Sequence, residues 1–81
     1  MKGLTVRQRE VLLHAANGNT NKQIARTLGI GTATVCRHLA ETFDRLGARD
    51  RAQAVAIALA VGELGVHQIH VPDQQREDRA A

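Results

Sequence analysis

Residues Thr20 to His38 read TNKQIARTLGIGTATVCRH, and this stretch decides the fold. Thr20 followed three residues later by Gln23 is a capping box: the threonine hydroxyl accepts from the N3 amide while the glutamine reaches back to the cap amide. A helix therefore starts there. Ile24, Ala25 and Leu28 share one face of it, and Gly29 supplies the residue that closes a helix at positive φ. The pattern restarts as a longer helix from Thr32 to Leu46, with Val35, Leu39, Phe43 and Leu46 turned inward at three- and four-residue steps. Two helices joined by so short a turn form a helix-turn-helix, whose second helix lies in the major groove when the protein binds DNA.

Working outward, Thr5 with Gln8 is a second capping box, opening a helix that runs to about Ala16 and ends at Asn17-Gly18. The second helix spans about Asn21 to Leu28. The third begins after Gly31, a weaker cap than Ser or Thr, and stops at Gly47. Asp50 with Gln53 gives a polar start to a fourth, from about Arg51 to Val61. Beyond Gly62 the helical period fails: Val66 to Val71 reads as an extended piece before Pro72, and the final DQQREDRAA as a frayed helix or disordered end. No internal repeat occurs. The expected fold is all-α, a compact four-helix helix-turn-helix domain over residues 1–64 with a short extended or disordered C-terminal tail over 65–81.

Eighty-one residues, 43% hydrophobic and 23% charged, make one soluble globular domain. Phe43 is the single aromatic in an apolar set dominated by Ala, Val and Leu, so the core supplies only about 3–5 kcal/mol, and capping and self-association matter. No window reaches the roughly 18 apolar residues of a membrane span, and the Met-Lys-Gly start lacks a signal-peptide core. The expected location is cytoplasmic, with no membrane partner. A single cysteine, Cys36, fits a reducing compartment. Residues 1–61 carry nine Lys/Arg against four Asp/Glu, whereas residues 62–81 carry two against four, so the helical part is the basic part. That asymmetry suits a polyanionic partner and is equally found on ordinary solvated surfaces.

The fourth helix is apolar nearly all round. Ala52, Val55, Ala56 and Leu59 make one stripe, expected to cover the helix-turn-helix; Ala54, Ile57, Ala58 and Val61 make another. One small core cannot take both. A second copy of the chain on the stripe of Ala54, Ile57, Ala58 and Val61 gives a homodimer, and a tail folded back over that stripe is the alternative.

Residues 4–64 resemble the LuxR-type, or GerE-like, helix-turn-helix domain of bacterial transcription regulators. The resemblance rests on Leu4-Thr5, Arg7, Glu10-Val11-Leu12, Gly18, Asn21-Lys22-Gln23-Ile24-Ala25, Leu28-Gly29-Ile30, Thr34-Val35, His38-Leu39, Phe43, Leu46-Gly47 and Arg51-Ala52-Gln53-Ala54-Val55. It implies a four-helix domain that binds DNA through the third helix and commonly dimerises through the fourth. Most relatives attach this domain to a receiver or ligand-sensing domain, and this sequence is expected to be of the stand-alone kind, controlled by abundance or by a separate partner. It departs from the resemblance on the groove face, where Cys36, Ala40, Glu41 and Asp44 occupy positions that are often basic.

Among the groove residues, Arg37 is the candidate base reader, since a guanidinium can take guanine O6 and N7 together; the alternative is a solvated pair with Glu41 at i+4. Cys36 either touches a thymine methyl, senses oxidation, or acts as a small apolar filler. His38 reaches a phosphate, as the resemblance suggests, or packs under the turn. Asn21 and Lys22 are the candidate phosphate contacts, at a helix start where free amides and a cation converge, with Thr32 and Thr34 offering hydroxyls from the first turn of the third helix. Arg26, Arg45 and Arg49 are weaker candidates for the same role, and Arg7 and Arg9 belong to a surface network with Glu10.

Catalysis finds no constellation. His14, His38, His67 and His70 do not combine with Cys36 at zinc-site spacing, Gly29 and Gly31 belong to the turn rather than to a phosphate loop, and the sequence has no serine. The expectation is a non-enzymatic protein without metal or cofactor: a sequence-specific transcription regulator binding double-stranded DNA as a dimer. The rival reading keeps the scaffold but binds protein, such as RNA polymerase, a sigma factor or another regulator.

Overall fold

The polar caps set the starts of the helices. In the computed structural model, which describes residues 3–72, α1 spans Val6–Ala16, α2 Asn21–Leu28, α3 Thr32–Leu46 and α4 Arg51–Ala60. Thr5 and Thr20 each accept the N3 amide at 3.1 Å, and Gln8 and Gln23 accept the cap amides at 3.0 and 2.8 Å, so both capping boxes are closed. Asp50 caps α4 by accepting from the Gln53 amide at 2.8 Å. Gly31 starts α3 with no side-chain cap. The described residues contain no strand.

The core lies where α3 packs against α1 and α2, with α4 closing it from the side of α1 and α3. Val11, Leu12, Ile24 and Val35 are fully buried, and Leu4, Ala15, Ala25, Leu39, Leu46 and Leu64 complete the cluster. Phe43 is only half-buried against it, and the neighbouring Thr42 is the residue that is fully enclosed. Its hydroxyl donates to the His38 carbonyl at 2.7 Å, which satisfies the one polar group a threonine carries into an apolar site. The pattern of apolar residues has no way to register a threonine whose hydroxyl is paid off within its own helix.

The two stripes of α4 face the opposite way from the sequence expectation. Ala54 and Ala58 are fully buried in the protein's own core, whereas Ala52 and Ala56 are exposed and Val55 and Leu59 half-buried. Ile57 is half-buried against the same core, and Val61 is the 51% exposed C-cap that follows the helix. Ala54 and Ala58 are therefore not available to a second chain. Both stripes offer a pair of alanines, so size does not choose between them; it explains how the buried pair packs. The small methyl groups at 54 and 58 let the α4 backbone come close to α1 and α3, and the larger Val55, Ile57 and Leu59 fit at the margins of that contact.

After α4 the chain adds to the core and then turns onto α1. Leu64 is buried, and the amides of Glu63 and Leu64 both donate to the Ala58 carbonyl, at 2.8 and 3.1 Å. Val66–Gln68 is a 3₁₀ turn rather than the extended piece expected there. It is held by Gly65 donating to Gln68 Oε1 at 2.8 Å and by the Gln68 amide donating to the Gly65 carbonyl at 2.9 Å. Asn17, the C-cap of α1, then grips the segment from both sides: its amide nitrogen donates to the Gln68 carbonyl at 3.3 Å, and its oxygen accepts from the His70 amide. The described tail thus lies on α1 and leaves the outer face of α4 open; the frayed or disordered end expected at residues 73–81 lies outside the described residues.

The swapped faces of α4 are directly testable. Ala58→Leu should lose about 1–3 kcal/mol of stability by overpacking, while Ala56→Leu should stay within about 0.5 kcal/mol of the parent in a denaturant titration. Equal losses would show that both faces are packed.

Candidate nucleic-acid interface

Two helix starts and one exposed helix face meet on the same side of the domain. Along α3, Val35, Leu39, Thr42 and Leu46 point into the core, so the 3.6-residue period turns Thr32, Ala33, Cys36, Arg37, Ala40, Glu41 and Asp44 to solvent. Thr34 and His38 flank this face and are half-buried. The amides at the first turn of α3 meet no side-chain cap, and in α2 the box at Thr20 takes the Gln23 amide, which leaves the Asn21 and Lys22 amides outward.

The two helices are tied by one side chain. Asn21 Nδ2 donates to Cys36 Sγ at 3.3 Å, which brings the start of α2 beside the second turn of the exposed α3 face. Asn21 Oδ1 in turn accepts from Arg51 Nη2, and Arg51 Nη1 donates to the Asn19 carbonyl at 3.1 Å. Asn21 is thus a strut inside the site, with both ends of its amide engaged. Beside it, Ala15, Gly18, Asn19, Thr20, Asn21, Lys22 and Arg51 line an open cleft of about 590 Å³ without a single acidic side chain.

Among the described residues, Arg37 forms no ion pair, so the alternative of a pair with Glu41 is not adopted; the two ion pairs present are Arg7–Glu10 at 3.3 Å and Arg9–Glu63 at 3.2 Å. Lys22 and Arg26 are also exposed and outside any ion pair among these residues. Cys36 is exposed and outside any disulfide, so it is not a core residue. Arg45 is committed elsewhere, donating to the Gly3 carbonyl at 2.6 Å. Arg9 leaves the expected network with Glu10 for Glu63 and the Leu4 carbonyl, 3.3 Å away. No group of three His, Cys, Asp or Glu that would hold a metal ion occurs among the described residues, and no helix there is long and apolar enough to cross a membrane.

Arg51 enters the sequence reading through the fourth helix and the family resemblance but not as a site residue, because its partners are 30 and 32 residues away. The signal available in the sequence is local and weak: an arginine at the first position of a helix sits at the positive end of the helix dipole, where a cation is disfavoured unless other contacts hold it.

Comparison with known proteins agrees with this geometry. The profile of the family described as bacterial regulatory proteins, luxR family, matches residues 2–58. The chain is 46% identical over 61 residues to SgaR of Hyphomicrobium methylovorum, by name a probable transcriptional regulatory protein, and this match covers 75% of the chain and 29% of SgaR. The chain thus spans about three tenths of that relative's length. It is 41% identical over 61 residues to the spore germination protein GerE of Bacillus subtilis, covering 75% of the chain and 82% of GerE. The solved structure of the transcription factor GerE superimposes with a TM-score of 0.74 at 34% identity, over 80% of this chain and 97% of that one. With four helices, a helix-turn-helix at residues 20–38, a fold shared with GerE and a family match across most of its length, the chain belongs to the luxR family of bacterial regulatory proteins.

Proposed function

We propose that this domain binds double-stranded DNA as a transcription regulator, with α3 in the major groove. The observation that carries the reading is the Asn21–Cys36 contact, which puts the amide-rich start of α2 and the exposed face of α3 on one surface. On that surface Arg37 reads a base, Cys36 and the methyls of Ala33 and Ala40 are apolar contacts for thymine, Thr32 and Thr34 offer hydroxyls, and His38 meets the backbone. Lys22, with the amides of Asn21 and Lys22, takes phosphates. The transcriptional regulators SgaR and GerE, to which the chain is similar, support the same reading. A regulator of a bacterial chromosome works in the cytoplasm.

The dimer is proposed on the corrected face of α4. Exposed Ala52 and Ala56, flanked by half-buried Val55 and Leu59 and continued by exposed Ala60 and Val61, form a partly open apolar band. Two-fold pairing there would set two recognition helices about 34 Å apart, one turn of DNA, and would call for an inverted-repeat site. One observation favours a protein partner instead: Glu41 and Asp44 are exposed on the same face as Arg37, which lowers its attraction for phosphates.

Two experiments test these proposals. In anisotropy titrations against duplexes selected from a random pool, a dimer that neutralises about six phosphates should give a slope of log K against log salt of roughly −5. Arg37→Ala should relax preference at one base pair, at a cost of about 1–3 kcal/mol, whereas Lys22→Ala should weaken all duplexes alike. No selection of any duplex, together with capture of polymerase or another regulator, would establish the protein-binding reading. For the dimer, Ala56→Glu should preserve helical circular dichroism while shifting sedimentation to monomer. A wild type that is monomeric at high concentration would end the dimer proposal.

A further inference from the structure

Arg51 stands at the first position of α4, half-buried, and reaches across to the start of α2. Both helices present their positive ends to it, and Lys22 lines the same cleft. A cation does not settle there for electrostatic reasons. It is held by shape: the planar fork of the guanidinium matches two oxygens at once, the Asn19 carbonyl before the Thr20 cap and Asn21 Oδ1 at the first position of α2. With its oxygen fixed, the Asn21 amide has one orientation, and in that orientation its nitrogen donates to Cys36 Sγ. The chain Arg51–Asn21–Cys36 thus runs from the first turn of α4, past the start of α2, to the exposed face of α3.

We propose that Arg51 is a positioning residue of the DNA interface: it acts through Asn21, fixing the start of α2 against the Cys36 face of α3 so that phosphate-binding amides and base-reading side chains meet the duplex in one register. This rests on the DNA-binding reading above. Arg51 itself need not touch a phosphate. Its charge is secondary and its two-pronged geometry is what matters, so lysine, which keeps the charge on a single rotatable head, is no substitute.

The test is a double-mutant cycle on the full chain with a selected duplex, using Arg51→Lys, Asn21→Ala and the two combined. Each single variant should lose about 5–10-fold in affinity, the scale of a lost hydrogen bond, with the salt slope unchanged because no phosphate-neutralising charge is removed. The double variant should lose no more than either single. In the free protein, the Asn21 side-chain amide resonances should move in Arg51→Lys while thermal unfolding stays close to the parent, which separates a local release from general damage. Wild-type affinity in Arg51→Lys would overturn the proposal, as would losses that multiply in the double variant or Asn21 resonances that do not respond. Failure of the wild type to bind any duplex would instead remove the DNA-binding reading beneath it.

Discussion

The relation between α2 and α3 hangs on one backbone conformation. Gly29 sits at φ +69°, its amide and that of Ile30 both return to the Ala25 carbonyl, and Ile30 then packs its side chain against the core. Three residues, Gly29 to Gly31, reverse the chain and bring Ile24 of α2 and Val35 of α3 into the same interior, both without solvent exposure. A Cβ at position 29 would meet nothing within 4 Å, so the constraint lies in the dihedral and not in space. Holding another residue in that left-handed region costs about 1–2 kcal/mol, a large part of what so small a core supplies. Everything on the exposed face inherits its geometry from this turn, because the turn decides which side of α3 is left over once Val35, Leu39, Thr42 and Leu46 have gone inward.

The core itself is a matter of close approach more than of bulk. Its fully enclosed side chains are aliphatic or small, its one aromatic stays at the margin, and α4 enters through two alanines. That is why the fourth helix was legible as a helix and illegible as a surface. Its apolar residues run all round, so hydrophobic periodicity offers two faces of equal merit. Each face also carries two alanines, so volume does not separate them, and only the packing against α1 and α3 shows that Ala54 and Ala58 are inside.

Local chemistry was readable throughout. Both threonine boxes, the Asp50 cap, the bare start of α3 and the helix closures at Gly29 and Gly47 depend on residues within four positions of one another, and each is found where the sequence places it. The exposed face of α3 followed from the same period. What escaped was long-range: Arg9 to Glu63, Arg51 to Asn19 and Asn21, and Asn17 to Gln68 and His70 join positions 30 to 54 residues apart. No pattern along a chain encodes which arginine finds which acceptor once helices are packed. The 3₁₀ turn at Val66–Gln68 belongs with these, since a valine-rich run favours extended backbone and the Asn17 side chain, together with the Gln68 side chain closing on Gly65, holds it otherwise.

The central claim is that the surface uniting the start of α2 with the outer side of α3 meets DNA. It is tested most directly by amide chemical-shift mapping of the labelled protein titrated with a duplex that it has selected itself. The largest changes should cluster at residues 20–22 and 32–41, with the α1 surface around Val6 and Leu13 unmoved. Changes centred on α1 and on Val66, with residues 32–41 silent, would contradict it.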